Sequence, residues 1–352
     1  MRTYFKIQLF FRRQPRYISW LLKTAIAVLF GLLLWYDVFQ RKNFQDIKQL
    51  FLTELKGENV GWLVACCVLM PLNWAAETIK WGFLVQRVQH IDFWRAYRAV
   101  FAGVTTSLFL PNRIGDFGGR ILFLKSKNAA KVVLSTFVGS WGQQLVLITF
   151  GFLGFIYFLM TEWHAEPIIV KGIIALGVGF VIILLLLFLN LEIVVPVFKK
   201  IRLLYKFPRI IKSVNMLRQY TRRELLRTLL WAFIRYVIYT AQYVLILRFF
   251  GINVEILRGV SSIATIYLLQ TAIPLPPVVG LLARGEVALK IWGNTGDNDL
   301  SILAATFSLW VINLIIPALI GLVFILQLNF SKSFGYQRKS SENDNQESSE
   351  SS

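Results

Sequence analysis

The stretch from Pro111 to Arg120 reads Pro-Asn-Arg-Ile-Gly-Asp-Phe-Gly-Gly-Arg. Arg113 and Arg120 are permanent cations whose planar forks suit bidentate contact with a phosphate. Asp116 stands between them and can hold one in place. Gly115, Gly118 and Gly119 permit tight turns and the close approach of a second backbone or a ligand. A second stretch, Ile273 to Glu286, has the same form: an apolar run, then Pro274, Pro276 and Pro277, then Gly280, then Arg284, Gly285 and Glu286. Arg284 and Glu286 are its polar pair. A third set lies inside apolar segments: Asn73, Glu77 and Lys80 in one, Arg235 in another. Glu77 and Lys80 are three residues apart and share a helical face. An ionisable group at the bilayer centre costs about 2.5–3.5 kcal/mol, so it normally faces a cavity or a partner. A Glu77–Arg235 pair is therefore expected, with Lys80 snorkelling to the surface. The plainer readings are a polar turn on lipid headgroups, prolines closing an apolar run, and charges that snorkel separately.

Other chemistry finds little footing. There is no Gly-x-Ser-x-Gly elbow, phosphate loop, His-Glu-x-x-His run or acid cluster for a divalent metal. His90 and His164 have no ligand-spaced partner, and Cys66 and Cys67 are adjacent in an apolar run. No catalytic residue, metal or cofactor is expected. The net charge of +19 would suggest nucleic acid in a soluble protein. Here basic membrane loops explain it better, and no nucleic-acid motif is present.

The elements that position these residues follow from composition. The 352 residues are 56% hydrophobic, more than a soluble domain can hide. A membrane-spanning helix needs about 20 apolar residues. Full spans are read at about 18–39, 60–83, 132–160, 168–191, 228–250 and 302–326. The run 99–111 is too short: thirteen residues at helical rise cover about 20 Å. With the polar, glycine-rich 112–131 it reads as a re-entrant hairpin, tolerated where protein or water covers it. Residues 259–279 are long enough to cross but end in prolines, and are read as a second re-entrant segment. The basic loop 199–227 holds ten Lys and Arg against one Glu. Its Ile201, Leu204, Ile210, Ile211, Val214 and Leu217 suggest an amphipathic helix on the membrane surface.

The fold class expected is thus an all-α polytopic membrane protein. It has about six full spans plus two re-entrant segments in an inverted repeat. The parts are a basic cytoplasmic N-terminus (1–17), a first membrane half (18–167), a second half (168–330) and a polar tail (331–352) expected to be disordered. With both termini cytoplasmic, inner loops carry 26 Lys and Arg against 8 outside, with four more in spans. No cleavable signal peptide is read at the start.

Thr106 to Asp116, with Arg120 following, and Pro274, Pro277, Gly280, Arg284, Gly285 and Glu286 resemble a flippase-like family. It is named for the transmembrane region of lysylphosphatidylglycerol synthase. The resemblance covers most of residues 15–330. The chain departs from the family pattern at Pro276-Pro277-Val278-Val279, where a more flexible Ser-Pro-Gly-Gly type of run is usual. No soluble aminoacyl-transferase domain is read, so synthesis of lysyl-lipid is not expected.

The resemblance implies a bacterial inner-membrane protein that moves or binds an anionic phospholipid or a polyprenyl-linked glycan, without ATP hydrolysis. The alternative is an integral-membrane accessory or enzyme of lipid-linked glycan or envelope synthesis. Expected substrate contacts are Arg113, Asp116, Arg120, Arg284, Glu286, Asn73, Glu77 and Arg235. Pro111, Gly115, Gly118, Gly119, Pro274, Pro277, Gly280 and Gly285 shape the motifs. Membrane lipids are the expected partners. An envelope-synthesis protein docking on the basic loop, or a second copy of the chain, is compatible with the sequence.

Overall fold

The computed structural model describes residues 44–108, 114–124, 128–163, 166–200, 208–272, 279–292 and 299–328. The first span read from the sequence, Pro111, Arg113, Pro274, Pro277 and the tail lie outside them. Among the described residues all regular structure is helical. Five helices are long and apolar enough to cross a membrane. The chain is a multi-pass membrane protein.

Helix α1 (Phe44–Glu54) precedes the long α2 (Val60–Val85). Helix α3 (Phe93–Ser107) follows, started by Asp92, whose carboxylate accepts from the Arg95 backbone N–H at 3.0 Å. This helix begins six residues before the apolar run, because Asp92 provides the N-cap. Next comes α4 (Ile114–Ile121). The glycine-rich stretch expected to be irregular is therefore partly helical. Gly115 and Gly119 are what allow it: a β-carbon at either would collide with the backbone of α3, at Thr106 and Ala102 respectively. The two backbones touch, and Thr106 Oγ1 donates to the Gly115 carbonyl at 2.6 Å.

Helix α5 (Ala129–Thr161) and α6 (Pro167–Leu189) come next. α6 packs on α5 through residues such as Phe188 but leaves most of its surface outward, with Leu176 79% exposed, so lipid must cover that face. The described part of the basic loop, 199–200 and 208–227, is not one continuous helix. It contains the end of α7 (Leu191–Lys200), α8 (Pro208–Ser213) and a 3-10 turn (Val214–Gln219). Val214 and Leu217, expected on the membrane surface, are buried against α5 and α7 residues such as Val138 and Val195. Protein rather than lipid covers these two side chains, and Ile201 and Leu204 lie outside the described residues.

The second half begins with α9 (Arg222–Phe249), opened by a capping box between Thr221 and Glu224. α10 (Ile256–Ala272), α11 (Val279–Trp292) and α12 (Asp299–Trp310) follow. A π turn, Val311–Ile315, leads into α13 (Ile316–Gln327). Pro317 explains the turn: it has no N–H to give to the preceding helix, and the ladder widens just before it.

The long helices pair in a fixed pattern. Along α2 and α9, Trp62 meets Arg248, Cys66 meets Gln242, Asn73 and Glu77 meet Arg235, and Arg87 meets Glu224. Residue numbers rise on one helix as they fall on the other, so α2 and α9 are antiparallel. The short helix of each half packs on the last helix of the other. Thr105 of α3 donates to Ala318 of α13 at 2.7 Å, and Arg258 of α10 pairs with Glu162 at the end of α5 at 2.6 Å.

Candidate functional site

α2 is apolar on most of its length, but Asn73, Glu77 and Lys80 fall on the face it turns to α9 and α5, and all three are buried. Glu77 is the hub. Its Oε2 accepts from Lys80 Nζ at 2.7 Å and from Arg235 Nη1 at 3.0 Å. Its Oε1 accepts from Arg120 Nη2 at 3.0 Å. Arg120 also donates through Nε to Asp116 Oδ1 at 2.7 Å and through Nη2 to Asp116 Oδ2 at 2.8 Å. The close packing of α4 on α3 brings this pair to α2. One carboxylate thus serves three cations from three elements.

Neutral groups complete the network. Arg235 Nε donates to Asn73 Oδ1 at 3.1 Å, and Asn73 Nδ2 donates to Asn313 Oδ1 at 2.9 Å. Lys80 Nζ donates to Gln143 Oε1 at 3.1 Å, and Gln143 Nε2 donates to the Ala232 carbonyl at 3.3 Å. Two tryptophans lie under the arginines: Arg120 over Trp81 at 5.3 Å and Arg235 over Trp74 at 4.9 Å. Both are cation–π distances. Trp81 is itself fixed by its Nε1–H, which donates to Thr136 Oγ1 at 2.8 Å.

The expected Glu77–Arg235 pair is therefore present, and it brings Asn73, Asp116 and Arg120 together with it. Lys80 does not snorkel. It is 1% exposed, because Glu77 and Gln143 supply in the interior the partners that it would otherwise seek at the surface. Of the second motif, the described Arg284 and Glu286 do not join this network. Arg284 is half-buried on α11 and Glu286 is exposed. They are not a pair: two positions along a helix point about 200° apart. Arg113 lies outside the described residues. Sequence reasoning missed Gln143, Asn313, Thr136 and the two tryptophans. The first two carried the signal that singled out Asn73, a lone amide in an apolar span, and Trp81 carried none.

The count of charge matters chemically. Among the described residues and the ion pairs between them, the network holds Lys80, Arg120 and Arg235 against Glu77 and Asp116, a surplus of one positive charge. The side chains of Arg235 and Asp116 are each 15% exposed and form its open edge. A buried surplus cation is unfavourable unless an anion meets it. Such an arrangement can hold a phosphate or carboxylate group.

A helical multi-pass bundle with a buried network of charges defines an integral membrane protein. The sequence profile described as lysylphosphatidylglycerol synthase TM region matches residues 20–321, and the chain belongs to that integral-membrane family. In the same comparisons no curated protein and no solved structure matches the chain.

Proposed function

We propose that this protein binds and translocates an anionic membrane lipid, a phospholipid or a polyprenyl-linked glycan, across a bacterial inner membrane without hydrolysing ATP. The observation that carries the reading is the surplus positive charge of the Glu77 network, set where the two antiparallel first helices cross. The headgroup meets the network at its open edge, beside Arg235, while Arg120, held by Glu77 and Asp116, contributes charge from within.

The transport geometry is an inverted repeat. α2–α5 form one unit and α9–α13 the other, with α3 and α10 as re-entrant helices. Their fifteen and seventeen residues cover about 22 and 25 Å, less than the hydrocarbon core. The exchange of contacts between α3 and α13, and between α10 and α5, supports this layout. Antiparallel α2 and α9 support it too. Such repeats rock against each other around a fixed site in many transporters. Both termini then face the cytoplasm, as the charge bias of the loops requires.

The test is movement of labelled phosphatidylglycerol in proteoliposomes. The purified chain should accelerate it over protein-free vesicles. Arg235→Gln, or Arg113→Gln with Arg120→Gln, should remove most of the acceleration. Wild-type rates equal to those of empty vesicles, or unchanged rates in every variant, refute the reading.

A further inference from the structure

The two halves match at several interior positions. Trp81 and Tyr243 stand equally far into α2 and α9, and Thr136 and Thr306 equally far into α5 and α12. Trp81 Nε1 donates to Thr136 Oγ1 at 2.8 Å, and the Tyr243 hydroxyl lies 2.9 Å from Thr306 Oγ1. A hydrogen bond between an aromatic side chain and a threonine hydroxyl thus joins matching positions in each half. Gln143 and Asn313 also match in position, and each reaches into the interior with its amide. Asn73 and Arg235, which bond each other, match too, so the relating axis passes between them.

Setting the two sequence motifs side by side aligns α4 with α11 and Arg120 with Arg284, one residue from equal depth in the two helices. Arg120 lies over the ring of Trp81. Arg284 lies within electrostatic reach of the Tyr243 and Tyr267 hydroxyls. Ala288 and Trp292, one and two turns further along α11, pack in the cluster that holds Tyr236, Tyr243 and Tyr267. Arg284 is therefore on the face of α11 that meets these rings. The difference between the halves is charge. Arg120 is neutralised by Asp116 and Glu77. Four residues before Arg284 stands Gly280 instead of an acid, and Tyr239 stands at the position of Glu77. Among the described residues Arg284 has no carboxylate partner, and the Tyr239 hydroxyl makes no hydrogen bond. Tyr239 stacks on Tyr267 at 5.3 Å, which holds its ring in the same cluster.

We propose that the second half carries its own anion site, in which Arg284 and the Tyr239 hydroxyl bind the phosphodiester of an anionic lipid. The bound phosphate supplies the charge that Glu77 and Asp116 supply in the first half. The site rests on the lipid-binding reading above and adds a second station to it. Arg284 gives the charge-assisted bond, and Tyr239 gives a neutral donor with a lipid-tolerant ring.

The full chain in detergent is titrated with dioleoyl phosphatidylglycerol, and bound lipid is read by native mass spectrometry. Dioleoyl phosphatidylcholine and inorganic phosphate form separate arms. Loss of one charge-assisted hydrogen bond corresponds to about tenfold in affinity, so Arg284→Gln should weaken phosphatidylglycerol binding by about that factor. Tyr239→Phe keeps the ring and the packing and should weaken it about threefold, since a neutral bond is worth less. Displacement by millimolar phosphate identifies the free anion as sufficient; its failure to displace assigns the site to the lipid headgroup. Unchanged affinity in both variants, with wild-type binding intact, overturns this site and leaves the lipid-binding reading standing. No preference of the wild type for phosphatidylglycerol over phosphatidylcholine overturns both.

Discussion

Replacing Glu77 by Gln keeps the size of the side chain and removes the charge on which three cations converge. In the wild type the network holds three cations against two carboxylates; in the variant it holds three against one. Breaking a buried pair costs about 3–5 kcal/mol, because it leaves charge uncompensated. Tripling that figure would be wrong, since every cation keeps a second partner. Arg120 retains Asp116, Lys80 retains Gln143, and Arg235 retains Asn73. The expected loss is therefore about 3–5 kcal/mol in all, or roughly 6–20 °C in melting temperature on the scale of large domains. Intrinsic tryptophan fluorescence in detergent is the assay, with Trp74 and Trp81 stacked on the affected arginines as reporters. Glu77→Gln with Lys80→Met restores the original surplus charge and should recover about half of the loss, as neighbours in one network are non-additive. A single variant that melts within a degree of the wild type, or a double variant no more stable than the single, refutes the electrostatic account.

Further expectations follow from packing and bonding. Gly119→Val should destabilise by at least about 1–3 kcal/mol, because its β-carbon meets the Ala102 backbone; Gly118→Val, where the same atom meets nothing, should be near neutral in the same melt. Trp81→Phe should cost about 1 kcal/mol through loss of the bond to Thr136, and Trp81→Phe with Thr136→Val should cost less than the sum of the two singles. In detergent, maleimide should label exposed Cys67 and spare buried Cys66, as mass spectrometry of Cys66→Ser and Cys67→Ser proteins would read. Tyr220, outside the long helices, donates to the Leu84 carbonyl at 3.1 Å, and burial pushes its phenol up to about 12. The folded state then holds that proton when the unfolded chain has lost it. Its contribution is complete below pH 10, the ordinary tyrosine value, and is lost as pH rises towards 12. Melts of the wild type and Tyr220→Phe should converge over that window.

The sequence by itself determined that this is a helical membrane protein, because apolar runs near 20 residues have no soluble alternative. It also determined which polar groups mattered inside those runs. Glu77 and Arg235 stood out because an isolated charge in hydrocarbon demands a partner, and the pair forms. Local patterns went further at the ends of helices: Thr221 with Glu224 is a capping signal readable in one dimension, and it starts α9. What only the tertiary structure decided was the distribution of partners. Lys80 reads as a snorkelling residue until α5 places Gln143 against it. Arg120 reads as a free phosphate ligand until α4 packs on α3 and delivers it to Glu77. Val214 and Leu217 read as a membrane-facing stripe until α5 covers them. In each case periodicity fixes which face a residue occupies on its own helix, while the antiparallel crossing of elements distant in sequence fixes what that face meets.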